Sequence, residues 1–199
     1  MKDQQVSYQL REGAKDYPMM LVLSLVYPCN ALCPHCPYTN SNIRDEYRDA
    51  PFMPEEIFKR IADESGPHGA YLRISGGGEP LMYKKAPDLL CYAKQKGCKI
   101  GLITNGSPFT EKNSQRLVEA GVDMIEFSVD ADNEEDYNVV RKGLSWSRLL
   151  RNVDRILEIR NHIGSESKIV ASGVDQCGID IDRVEKFWIE TVGVDYFIK

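Results

Sequence analysis

The sequence is short of several things. Its 199 residues hold 25 lysines and arginines against 30 aspartates and glutamates, a formal charge of -5. It therefore lacks the basic excess that marks a nucleic-acid or acidic-membrane binder. It also lacks a long apolar run. The greasiest stretch, MMLVLSLVY from Met19, is about nine residues, far below the roughly twenty that a membrane helix needs. The first twenty residues mix both charges around no apolar segment, unlike a secretory signal. Internal repeats and low-complexity linkers are missing too. A soluble, cytoplasmic protein is expected, with a short N-terminal extension over 1–20 and one core domain over 21–199. The last predicted strand runs to Lys199 itself, which predicts that the sequence is the front portion of a longer protein.

What is present is an alternation. Six apolar runs rich in β-branched residues begin at Leu21, Ala70, Lys99, Met124, Lys168 and Val194. Amphipathic segments lie between them, from Pro54, Lys85, Thr110, Ser147 and Ile181. Pro54 stands where a helix should start, and Gly97, Gly121, Gly164 and Gly193 where helices should stop. Strands alternating with helices predict an α/β fold with a parallel sheet and right-handed crossovers. The first five strands end in CNALCPHC, SGGGEP, TNG, SVDAD and GVDQCG, all polar or glycine-rich. Chemistry gathered at the carboxyl ends of successive strands is the mark of a barrel, so a partial (β/α)6 TIM-like barrel is expected rather than a flat doubly wound sheet. The polar stretch YTNSNIRDEYRDAPFMP reads as a long flap over that mouth.

One feature is incomplete. Between Tyr27 and Tyr38 the chain reads YPCNALCPHCPY, with Cys29, Cys33 and Cys36 spaced by three and two residues and no fourth cysteine beside them. Three thiols in one octapeptide pair poorly as disulfides, so in a reducing compartment they read as metal ligands. A closed structural zinc site takes four ligands, whereas a reactive site keeps a position open. Thiolates also hold four-iron, four-sulfur cubes with one cysteine per iron, and three cysteines leave one iron free for an exogenous ligand. Two further readings stand beside this one: a zinc site completed by His35 or a distant side chain, and a set of buried free cysteines.

Cys-x3-Cys-x2-Cys directly after the first strand of a β/α repeat resembles the signature of the radical S-adenosylmethionine (radical SAM) superfamily. The resemblance extends along the strand ends. Gly77, Gly78, Glu79 and Pro80 are similar to the glycine-rich motif whose main chain receives the methionyl amine of SAM, glycine leaving the backbone open to a ligand. Thr104-Asn105-Gly106 is similar to a third strand end where the asparagine lies near the cofactor, although Asn-Gly is equally ordinary turn chemistry. Ser128-Val129-Asp130 resembles a fourth strand end from which a serine reaches the methionyl carboxylate or ribose. Arg141 matches an arginine suited to a carboxylate, a surface arginine being the alternative. His35 stands where the family usually has an aromatic residue whose backbone lies near the adenine.

The resemblance implies a fold, a 4Fe-4S cluster on Cys29, Cys33 and Cys36, and SAM held by His35, Gly77, Gly78, Glu79, Asn105, Ser128, Asp130 and Arg141. It implies reductive cleavage of SAM to a 5′-deoxyadenosyl radical that takes hydrogen from a peptide, sugar or small metabolite. An electron donor such as a flavodoxin or ferredoxin is the implied partner, with no membrane and no nucleic acid. The segment from Val122 to Gly143 and the long helix after it look most like the SPASM and twitch subgroups. Cys177, after the fifth strand, is the one candidate for a catalytic side chain, as a hydrogen-atom donor or a second-cluster ligand, with a plain loop cysteine as the alternative. Cys91 and Cys98 read as core. On this reading Gly78→Val weakens SAM binding and leaves cluster content near normal. An activase of a partner radical enzyme, or a non-catalytic iron–sulfur or zinc module, remain as other functions; the glycine turn argues against the last.

Overall fold

The computed structural model describes residues 17–39, 41–46, 52–176 and 178–199. Six strands form one sheet: β1 (Met20–Leu23), β2 (Tyr71–Ile74), β3 (Lys99–Thr104), β4 (Met124–Ser128), β5 (Lys168–Ser172) and β6 (Tyr196–Ile198). They lie in sequence order, each parallel to the next. An unbroken sequential order sends every right-handed crossover to the same face, which curls the sheet instead of winding it on both sides. The sheet is open, a partial barrel of the kind the strand-end chemistry predicts.

Seven α-helices accompany it: α1 (Ser41–Glu46), α2 (Glu55–Ser65), α3 (Ala86–Gln95), α4 (Glu111–Glu119), α5 (Glu134–Val140), α6 (Trp146–Ile163) and α7 (Ile181–Lys186). Pro54 is the N-cap of α2, and Gly164 closes α6 in the left-handed region at φ 69°. Acidic Glu134, Glu135 and Asp136 open α5 behind an Asn133 cap, where negative charge suits the helix dipole.

Strand interiors are buried because parallel strands are covered on both faces. Leu72, Ile74, Ile100, Leu102, Ile125, Phe127, Ile169 and Ala171 are all fully buried. They meet helix residues such as Phe58, Leu89, Leu90, Leu117, Val153 and Ile156 in one continuous core. Cys91 and Cys98 belong to that buried set, and Cys98 Sγ points to the Ala62 carbonyl at 3.5 Å.

Three details differ from the sequence pattern. Strand β1 stops at Leu23 although apolar residues continue to Tyr27. Beyond it Leu25 accepts from Met53 N at 2.8 Å and Val26 pairs with Phe52, so the chain is already leaving the sheet. The region read as a flap begins with a 3-10 turn, Pro37–Thr39, and helix α1, and part of it lies outside the described residues. The last amphipathic segment continues α7 into a π-helical turn, Phe187–Val192. The wider turn carries Trp188, fully buried, with its indole N–H donating to Ala131 O at 2.8 Å.

Candidate active site

The ends of β1 to β4 turn toward one mouth, and a cavity of about 340 Å3 lies there; the fifth strand end, expected to join them, contributes no described residue to its wall. Its wall includes Cys29, Cys33 and Cys36 from the loop after β1, Gly77, Gly78 and Glu79 after β2, and Asn105 after β3. Ser128, His35 and Arg141 complete the predicted set that lines it. Asp130 does not line the cavity, and Cys177 lies outside the described residues.

The cysteine loop is held by its own backbone. Cys36 N donates to Cys33 O at 3.1 Å, and Thr39 caps the turn with its hydroxyl on Cys36 O at 2.7 Å. Leu32 N donates to Lys142 O at 2.8 Å, tying the loop to the turn after α5. All three thiols are free. Donors point at two of them: Ala31 N at 3.4 Å and Asn105 Nδ2 at 3.9 Å from Cys29 Sγ, and Arg141 Nη1 at 3.8 Å from Cys33 Sγ. Burial pushes the Cys29 and Cys33 thiols up, while the Arg141 guanidinium opposes that at Cys33. Ligation needs the thiolate, and N–H groups aimed at sulfur are what a thiolate accepts.

Among the described residues no group of three or more His, Cys, Asp or Glu converges tightly enough to hold a single metal ion. Three sulfurs on one short loop suit a polynuclear cluster, in which each cysteine serves its own iron.

The glycine turn has a reason that the sequence concealed. A Cβ on Gly77 would meet the Tyr27 ring at 2.5 Å and the Tyr38 ring at 2.8 Å. One on Gly78 would run into the backbone of Tyr27 and Pro28, and Gly76, at φ 144°, would collide with Ser24. Glu79 N donates to Pro28 O at 3.0 Å across the same contact. Glycine here lets the β2 turn lie against the root of the cysteine loop. Its service to a ligand comes on top of that packing.

Glu79 is 2% exposed, and its carboxylate accepts from Leu81 N at 3.1 Å, Thr104 Oγ1 at 2.7 Å and Asn105 N at 2.7 Å. Burial pushes its pKa up against these hydrogen bonds. The side chain thus clamps the ends of β2 and β3 together. Asn105 continues the clamp, with Nδ2 donating to Asn30 Oδ1 at 2.9 Å and Oδ1 accepting from Ser107 Oγ at 2.7 Å.

Asp130 stands behind the wall. It is fully buried and sits at φ 59°, the single non-glycine residue with positive φ among those described. Such strain persists where the surroundings fix it. Oδ1 accepts from Val174 N at 2.8 Å, and Oδ2 lies 2.8 Å from Arg141 Nε and 3.3 Å from His35 Nε2. Asp130 holds the two residues that do face the cavity. Burial lowers the pKa of His35, with Asp130 opposing. Tyr137 of α5 is fully buried and its hydroxyl has no partner among the described residues.

Sequence reasoning had not singled out Asn30, Thr104, Ser107 or Tyr137. Asn30 lies inside the cysteine motif and Thr104 inside the quoted TNG, so position could have flagged both. Tyr137 sits in a segment that reads as a helix start, and only packing reveals it.

Fold and site together define the class: an α/β partial barrel whose mouth gathers three cysteines and a glycine turn. The chain belongs to the Radical SAM superfamily, whose sequence model matches residues 23–171. Members of that family use a 4Fe-4S cluster and SAM. A PqqA peptide cyclase from Granulibacter bethesdensis is 33% identical over 121 residues, covering 59% of this chain and 31% of that protein. An Fe-coproporphyrin III synthase from Methanosarcina barkeri is 29% identical over 125 residues, covering 63% of this chain and 30% of the other. The fold is similar to that of Streptococcus suis SuiB bound to S-adenosylmethionine, with TM-score 0.73 at 21% identity over 92% of this chain and 40% of that one. SuiB bound to its precursor peptide SuiA gives TM-score 0.72 at 21% identity over 92% of this chain and 39% of that one. The chain spans about three tenths of the length of both relatives. No helix among the described residues is long and apolar enough to cross a membrane.

Proposed function

We propose that residues 21–199 form the core domain of a radical SAM enzyme acting on a peptide, with Cys29, Cys33 and Cys36 holding the 4Fe-4S cluster. One observation carries the proposal: the three cysteines, the glycine turn, Asn105, Ser128 and Arg141 wall a single cavity at the strand ends. When bound, cluster and SAM supply one-electron cleavage of a carbon–sulfur bond and a 5′-deoxyadenosyl radical for hydrogen abstraction.

The chain's own residues orient and shield. Ala31 N, Asn105 Nδ2 and Arg141 Nη1 donate toward cysteine sulfur and offset negative charge on the thiolates. The backbone of Gly77 and Gly78 and the hydroxyl of Ser128, which has no partner among the described residues, present polar groups to the methionyl end of SAM. His35, held by Asp130, offers a ring face for the adenine. Arg141 is shared between Asp130 and Cys33, so it steadies the cluster loop as well as facing the ligand.

A peptide substrate is supported by two names among the relatives, a peptide cyclase and a structure with a bound precursor peptide. The test is anaerobic. The protein is reconstituted with iron and sulfide, reduced, given SAM, and assayed for 5′-deoxyadenosine by chromatography with mass detection. Cleavage is expected, and Cys29→Ala, Cys33→Ala or Cys36→Ala should each abolish it, because two protein ligands hold a cube poorly. Retained cleavage in any of the three, or uptake of zinc alone, would overturn the assignment.

A further inference from the structure

A second concavity, about 520 Å3, lies outside the mouth between the loop after β3 and helix α6. Arg148, Arg151 and Arg155 line it at positions i, i+3 and i+7, which share one helix face. Among the described residues none of the three forms an ion pair, and Glu111 at the rim forms none with them. Several cations elsewhere are paired: Lys59 and Lys85 with Glu55, Lys94 with Asp123, Arg116 with Asp88, Arg160 with Asp195 and Arg183 with Asp132. In a chain of net charge -5, three guanidiniums with no ion pair among the described residues, against one lining carboxylate, Glu111, leave this groove net positive.

We infer that this groove docks an acidic redox-carrier protein that delivers the electron to the cluster. The inference rests on the cysteine assignment above. Two observations favour a protein face over a small phosphate. The three α-carbons spread over about 10 Å along the helix, at 1.5 Å rise per residue, more than one phosphate bridges. The polar side chains Asn152 and Ser107 of the floor are already engaged: Asn152 Nδ2 donates to Gly106 O, its Oδ1 accepts from Arg155, and Ser107 is bonded to both Asn30 and Asn105. Complementary charge of this kind steers encounter and sets association rate.

The floor also leads to the cluster loop. Ser107 Oγ donates to Asn105 Oδ1 at 2.7 Å, and Asn105 Nδ2 lies 3.9 Å from Cys29 Sγ. Asn30 Nδ2, one residue from Cys29, reaches Ser107 Oγ at 2.6 Å. A carrier seated on the arginines is thus separated from a cluster cysteine by two hydrogen-bonded side chains.

The experiment uses a reduced flavodoxin as the acidic probe, with wild-type protein and the double variant Arg148→Glu/Arg151→Glu. Binding is measured by titration at rising salt, and cluster reduction by stopped-flow absorbance. Wild type should bind with affinity that falls steeply with salt, and the variant at least tenfold more weakly with a flattened dependence. Reduction by flavodoxin should slow by a similar factor, while dithionite, which needs no docking, reduces both at the same rate. Equal binding in wild type and variant, or no binding to wild type, overturns the inference. So does competition by inorganic phosphate at a concentration too low to act by screening, which makes the groove a small-anion site. Failure of dithionite to reduce any bound cluster would instead bring down the cysteine assignment, and the binding arm, which needs no cluster, separates the two.

Discussion

Tyr137 shows how much one side chain can carry at the residue scale. Its hydroxyl is buried with no hydrogen-bond partner among the described residues, and burial pushes its pKa above the usual tyrosine value. An unsatisfied buried hydroxyl costs roughly 1–3 kcal/mol. Tyr137→Phe should therefore leave the protein equally stable or about 1 kcal/mol more stable at neutral pH, measured by denaturant unfolding. The sign of the pH dependence follows from the raised pKa. The neutral phenol is favoured by the fold, so its contribution is complete below the unfolded pKa of about 10 and is lost as pH rises beyond it. Wild type should lose stability there faster than Tyr137→Phe. Identical alkaline profiles would show that the phenol ionises as freely in the fold as in the unfolded chain.

At the scale of an element, the β2 turn is the piece most open to test. Gly78 lies against the Pro28 carbonyl, and a Cβ there forces backbone to move. Gly78→Ala should cost about 1–3 kcal/mol, the range for overpacking a fixed site, and lower iron and sulfide content because the displaced backbone is the root of the cysteine loop. The ligand-access reading of these glycines, set beside a plain structural turn, predicts normal cluster content and weakened SAM binding. Iron and sulfide analysis beside a melting curve distinguishes the two. Glu79, which joins the same turn to β3 through Thr104 and Asn105, makes the turn a rigid piece.

For the whole molecule the relevant fact is a single core beneath a mouth built from stretches far apart in the chain. Apolar residues from the six strands and from α2 to α7 join in one cluster. Anything that binds the mouth of the folded state alone should stabilise the entire unit by linkage. With the cluster in place, SAM at about a hundred times its Kd should add ~2.7 kcal/mol, seen as a rise in Tm. A reconstituted protein whose Tm ignores saturating SAM would show that the mouth binds it no better folded than unfolded.

Much of this was legible in the sequence by itself. Apolar runs alternating with amphipathic ones determined parallel strands and covering helices, because periodicity is a local property of the chain. Caps at Pro54 and Gly164 followed from single-residue backbone chemistry. The spacing of Cys29, Cys33 and Cys36 singled out the loop, and the strand-end turns pointed to one mouth. What only the tertiary structure decided concerns partners far apart in the chain. Asp130 retreats from the wall to hold His35 and Arg141, Glu79 gives its carboxylate to residues 25 and 26 positions away, and Arg141 reaches Cys33 across 108 positions. The sequence marks α6 as amphipathic; that Arg148, Arg151 and Arg155 form no ion pair among the described residues is visible only in three dimensions. Local pattern fixes which elements form, whereas the sharing of a buried charge or a backbone contact depends on which loops the sheet brings together.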